Sequence, residues 1–205
     1  MESNNIKKSF YIIITLLIII VGGTIPFIYE SPSIFYKTGL DKFSLRTGKI
    51  LGIIATILIF YQLILISRIK KIESTFKIKN LFQSHRLNGL IILGAAIIHP
   101  ILILGSDHFV FFPFESKYWP EFTGVGLLIL LFLFVLVSFW QHKLKLNYKL
   151  WRIFHKSFAP IIVIVLFIHI SNVSRTFESG VPFYALIGLS TLCLVLIIRK
   201  YLKKS

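Results

Sequence analysis

Residues 87–104 read LNGLIILGAAIIHPILIL, eighteen residues without one charged side chain. Wound as an α-helix at about 1.5 Å per residue, such a run comes close to the ~30 Å hydrocarbon core of a bilayer. Working outward, five more apolar runs appear, at Phe10–Tyr29, Ile50–Ser67, Phe122–Trp140, Phe158–Ile170 and Val181–Ile198. None alternates like a barrel strand, and backbone polar groups in hydrocarbon must be paired within the protein, so each run reads as a helix. Composition agrees. With 56% hydrophobic residues and a mean hydropathy of +0.81, a chain of 205 residues has too little polar surface for a water-soluble globule. The expectation is an all-α, six-helix transmembrane bundle, with residues 1–205 as one domain.

Two runs need a decision. Phe10–Tyr29 follows Lys7 and Lys8 as a signal peptide would, but it is long for one and lacks a small-x-small cleavage site, so it reads as a helix. Phe158–Ile170 is short for a span and crosses only if the helix reaches back into Trp151–Ser157, which puts His155 in its first turn.

Charge sets the orientation. Segments 1–9, 68–86, 141–156 and 199–205 hold seventeen of the twenty-three Lys and Arg but only Glu2 and Glu73 of the eight acids. The other three connections hold six basic and six acidic residues, so one side nets +15 and the other zero. By the positive-inside rule both termini and the basic loops Arg68–Arg86 and Gln141–Lys156 are cytoplasmic, in a multi-pass protein of the cell's inner (cytoplasmic) membrane. Insertion into the lipid bilayer accounts for the sidedness, so no nucleic-acid partner is expected. The single Cys193 excludes an intrachain disulfide and a cysteine metal cluster.

Every Asp and Glu lies outside the apolar runs, which leaves histidine as the chemistry-bearing residue within the membrane. His85 and His99 belong to the third span and His155 and His169 to the fifth, each pair fourteen residues apart. Fourteen residues advance about 3.9 turns, returning to one face within about 40° and about 21 Å further along. Both spans start from the same side, so His85 lies level with His155 and His99 with His169. Two facing pairs of neutral imidazoles are what two stacked bis-histidine b-type haems require, held between the third and fifth spans. Gly89, Ala95 and Ala159 lie one turn from a histidine and leave room for a porphyrin. Haem propionates would meet Arg86, Arg152 and Lys156 at the cytoplasmic end and Arg46 and Arg175 at the outer end. His108 and His142 receive no ligand role.

Each feature also has a plainer account. A histidine within a span is often only hydrogen-bonded to a neighbour, Pro100 is tolerated as a kink, and the basic residues follow insertion bias. A histidine-based transporter or channel and a cofactor-free membrane scaffold therefore stay open beside an electron-transfer cytochrome.

Three stretches carry a family resemblance: RTGKILG at 46–52, HRLNGLIILGAAIIHP at 85–100 and KLWRIFHKSFAPIIVIVLFIH at 149–169. Through them the chain resembles the ferric reductase-like transmembrane domain family. That family includes ferric reductases, NADPH oxidases and the haem-binding membrane subunit of the bacterial methionine sulfoxide reductase system. The resemblance implies that His85 and His155 ligate an inner haem and His99 and His169 an outer one. It also implies electron flow from a cytoplasmic flavin to an acceptor protein or small molecule outside. The ferric reductases and oxidases carry flavin and nicotinamide domains after the last span, where this sequence shows Arg199–Ser205 and no glycine-rich nucleotide fingerprint. A cytoplasmic flavoprotein reductase acting in trans, docked on the basic loops, is therefore expected to supply the flavin. The sulfoxide reductase subunit matches in length but commonly opens its third span with Arg-Arg where His85–Arg86 stand here. A single-haem membrane subunit of a periplasmic reductase system is accordingly the alternative.

The orientation is testable by labelling intact cells. Cysteines introduced as Lys79→Cys and Lys145→Cys should be shielded from an impermeant thiol reagent, and Lys117→Cys should react; labelling at position 145 from outside would reverse the topology.

Overall fold

The computed structural model describes residues 2–67, 69–110 and 113–202. Of the basic positions counted above, Arg68, Lys203 and Lys204 lie outside the described residues. Seven α-helices follow one another: α1 (Glu2–Ile28), α2 (Gly39–Ile66), α3 (Lys70–Thr75), α4 (Ile78–Gly105), α5 (Trp119–Trp140), α6 (Tyr148–Val173) and α7 (Gly180–Leu202). Short 3-10 turns stand at Pro32–Ile34, Ser116–Tyr118 and Arg175–Phe177, and no strand occurs among the described residues. All but α3 are long and apolar enough to cross a membrane, which makes this a multi-pass membrane protein with six candidate spans.

The helices begin earlier than the apolar runs. The stretch 68–86, read from sequence as a loop, holds α3 and the first turns of α4. His155 is not in the first turn of its helix but is the eighth residue of α6. The cause is a cap: the Asn147 side chain accepts from the backbone N–H of Lys149 (2.9 Å) and Leu150 (3.5 Å), satisfying amides that a helix start leaves unpaired. His85 is likewise the eighth residue of α4, so the two histidine pairs occupy the same positions in helices of similar length.

The chain forms two compact units, Met1–Phe109 and Val110–Ser205. In the first, α2 runs antiparallel to both α1 and α4 and is the most buried of the six candidate spans. Ala55, Leu58, Ile59, Phe60 and Leu63 of α2 and Leu81 and Ile92 of α4 are all buried. Gly48 permits a close approach, since a Cβ there would lie 2.9 Å from Ile103 Cδ1 and 3.2 Å from Leu102 Cβ. The α1–α2 connection is tied down at the same end. Ile34 is fully buried, and the Lys37 ammonium reaches the Ser106 carbonyl and the Asp107 carboxylate (2.6 Å) just past α4. Ile13, Leu17, Ile20 and Val21 of α1 are exposed, as a surface solvated by lipid tails would be.

In the second unit α6 lies between α5 and α7, with α5 and α6 antiparallel. Leu127 and Leu131 of α5, Ile162, Val163 and Leu166 of α6, and Leu186 and Cys193 of α7 form its buried core.

A polar clamp crosses the apolar α2–α4 contact. Asn88 Nδ2 donates to the Leu58 carbonyl (3.0 Å) and to Gln62 Oε1 (2.7 Å), while Gln62 Nε2 donates to the backbone carbonyl of His85 (2.7 Å). Interhelical hydrogen bonds of this kind are worth roughly 0.6–1.7 kcal/mol each in a membrane setting. Asn88→Ala should therefore destabilise the protein by about 1–2 kcal/mol in a mixed-micelle unfolding titration. Because both residues share one network, Gln62→Ala combined with Asn88→Ala should cost less than the two single changes added; strict additivity would show that no network exists.

Candidate functional site: two histidine pairs

Each histidine is best described within its own unit. His99, on α4, lies with its ring against α2. A Cβ built on Gly52 would stand 2.9 Å from both His99 Cε1 and Nδ1, so no larger residue fits there without moving the ring. One turn earlier on α2, the carbonyl of Gly48 is 2.8 Å from His99 Nδ1. A carbonyl oxygen can only accept, so Nδ1 carries the proton, and in the neutral ring Nε2 keeps its lone pair.

His169 repeats this arrangement in the second unit. Its ring lies against Gly124 of α5, where a Cβ would be 2.5 Å from Cε1 and 2.9 Å from Nδ1. Its Nδ1 is 3.0 Å from the carbonyl of Pro120, which also accepts from Thr123 Oγ1 (2.6 Å). Again Nδ1 is the donor and Nε2 the available lone pair.

The other two histidines are held differently. His155 Nδ1 is 3.2 Å from Ser138 Oγ of α5, and its ring stacks on Phe134 at 4.4 Å and 13°, with Trp151 of its own helix at 5.0 Å. His85 sits in the turn of α4 whose backbone the Gln62–Asn88 clamp grips. Gly89, expected to leave room for a porphyrin, is where Gln62 crosses; a Cβ there would lie 3.4 Å from Gln62 Nε2.

The basic residues divide. Arg46 forms an ion pair with Glu30 and covers the Phe27 ring at 4.7 Å, so its charge is already offset. Arg152 lies over the Tyr148 ring at 5.8 Å, and Arg86 and Arg175 are exposed. Lys49, next to Gly48, hydrogen-bonds Ser31 and reaches Ser33 at 3.4 Å.

The supporting residues escaped the sequence reading. Gly52 and Gly124, the carbonyls of Gly48 and Pro120, and Ser138, Phe134 and Gln62 belong to the helices beside the histidines, and none of them is a ligand type. The signal that could have found them is a glycine within an apolar span, in RTGKILG and again in WPEFTGVG. Among the described residues no three His, Cys, Asp or Glu side chains gather into a metal-binding cluster.

His99 and His169 each donate Nδ1–H to a backbone carbonyl of the helix beside them, the contact that commonly orients a metal-ligating histidine. No curated protein and no solved structure matches the chain significantly. Residues 51–166, more than half of the chain, match the family described as ferric reductase like transmembrane component. The match takes in His85, His99 and His155 together with Gly52 and Gly124, and ends three residues before His169. The chain therefore belongs to the ferric reductase-like transmembrane component family.

Proposed function

We propose that this protein is a transmembrane electron-transfer cytochrome of the b type. In this reading His85 and His155 ligate one haem, His99 and His169 a second, and electrons pass from a cytoplasmic flavoprotein to an acceptor on the outer side. What carries the assignment is the matched setting of His99 and His169, each with Nδ1 donating to a backbone carbonyl of the neighbouring helix, as metal-ligating histidines commonly do. Membership of the family and the equal fourteen-residue spacing support it from two other directions.

Bound haem supplies reversible one-electron chemistry at iron, and with both axial positions filled by imidazole it leaves no site for substrate at the metal. The chain's own residues do the rest. Gln62 and Asn88 hold the turn bearing His85, and Phe134 packs on the face of the His155 ring. Arg86, Arg152 and Lys156 are the cations assigned to propionates at the cytoplasmic end and Arg175 at the other. Arg46, committed to Glu30, contributes less net charge there.

The basic loops are proposed as the dock for the flavoprotein, with both termini on that side. The acceptor outside is a small molecule or a partner reductase.

Purified protein should give two low-spin haems per chain in a pyridine haemochrome assay. His85→Ala and His155→Ala should each remove the same haem, and His99→Ala and His169→Ala the other; one haem, unaffected by His85→Ala, would move the chain to the single-haem alternative. NADPH alone should leave the haems oxidised, and an added flavin reductase should reduce them at a rate that falls with salt. Reduction by NADPH with no added protein or flavin would exclude the separate donor.

A further inference from the structure

We infer that Gly52 and Gly124 are positioning residues that expose the Gly48 and Pro120 carbonyls to the ligand rings of His99 and His169, and that this pair of contacts sets the reduction potential of the one haem those rings would share. The inference rests on the haem reading above and adds to it residues that touch no cofactor.

The geometry explains why the glycines stand where they do. Within an α-helix the carbonyl of residue i is bonded to the N–H of residue i+4, which uses one of its two lone pairs. The Cα–Cβ bond of a helical residue tilts toward the N-terminus, so the side chain of residue i+4 covers the surface above carbonyl i. A bulky ring from a neighbouring helix comes close to the second lone pair more readily where residue i+4 has no Cβ. Gly52 is four residues after Gly48, and Gly124 is four after Pro120. In both units the missing Cβ is the atom that would strike the imidazole, at 2.9 Å in the first and 2.5 Å in the second. The same local solution thus appears twice, once in each unit.

The electronic consequence follows from the hydrogen bond. An imidazole whose Nδ1–H is strongly bonded to a carbonyl is a more electron-rich donor at Nε2 and favours the more positive, oxidised iron. Weakening the bond raises the potential, and strengthening it lowers the potential. Thr123 provides a lever in the second direction. Its hydroxyl donates to the Pro120 carbonyl at 2.6 Å and shares that oxygen with His169 Nδ1 at 3.0 Å. Removing the hydroxyl leaves more of the oxygen's electron density for the histidine.

The test is a redox titration of the full-length protein, resolved for each haem, on Gly52→Ala, Gly124→Ala and Thr123→Val. Gly52→Ala and Gly124→Ala, although in different units, should raise the midpoint potential of the same haem and leave the other unchanged, with a matching shift in its low-spin EPR signal. Thr123→Val, close to isosteric and so the variant that decides should an alanine protein fail to fold, should lower the potential of that same haem. A merely structural role would not produce shifts of opposite sign at one haem with haem content preserved. Unchanged potentials in a two-haem protein, glycine variants acting on different haems, or a Thr123→Val shift in the same direction as Gly124→Ala would overturn the inference. Wild-type protein that binds no haem would instead overturn the functional reading beneath it.

Discussion

Hydrocarbon offers no hydrogen bonds, and this constraint governs the whole molecule. Each backbone polar group has to be satisfied by the chain itself, so the six spans are helices, and any polar side chain among them must find a partner nearby. The polar contacts within the membrane segments obey that demand economically. They use backbone carbonyls that already belong to a helix and borrow the second lone pair: Gly48 for His99, Pro120 for His169, Leu58 for Asn88 and His85 for Gln62. Side chains that would be costly to bury alone thereby become links between neighbouring helices.

The same economy explains how chemistry survives in a region that lacks acids. Carboxylates are confined to the ends of the helices, where Glu30 meets Arg46 and Asp107 meets Lys37. The His99 and His169 rings are oriented by main-chain carbonyls, whose positions are fixed by the helix and cannot rotate away. Family membership and the histidine spacing converge on the same faces of α4 and α6 that this orientation serves.

The spans were legible in the sequence because length and hydropathy act over many residues and no local detail can reverse them. The histidines were legible because a polar residue in an apolar run stands out. Helix starts were less so: the apolar run of the fifth span begins at Phe158, but the Asn147 cap starts α6 ten residues sooner, and only its side-chain geometry reveals that. Gln62, whose amide would lie 3.4 Å from a Cβ at Gly89, was a neighbour the sequence alone did not reveal. Gly52 and Gly124 were hidden for a different reason. A glycine's contribution here is an atom it lacks, and that becomes visible only when the neighbouring helix is in place.

The division of the chain at Phe109 also has a biosynthetic meaning. His85 and His99 take their supports from α2, which is made before α4, so this half can reach its final packing as soon as α4 has entered the membrane. His155 and His169 take theirs from α5, again the helix made earlier. In each half the supporting helix precedes the histidines on the ribosome, and the rings of His99 and His169 emerge to meet carbonyl acceptors already laid down. For these two rings a nascent chain built in this order has the acceptor in the membrane before the imidazole that needs it.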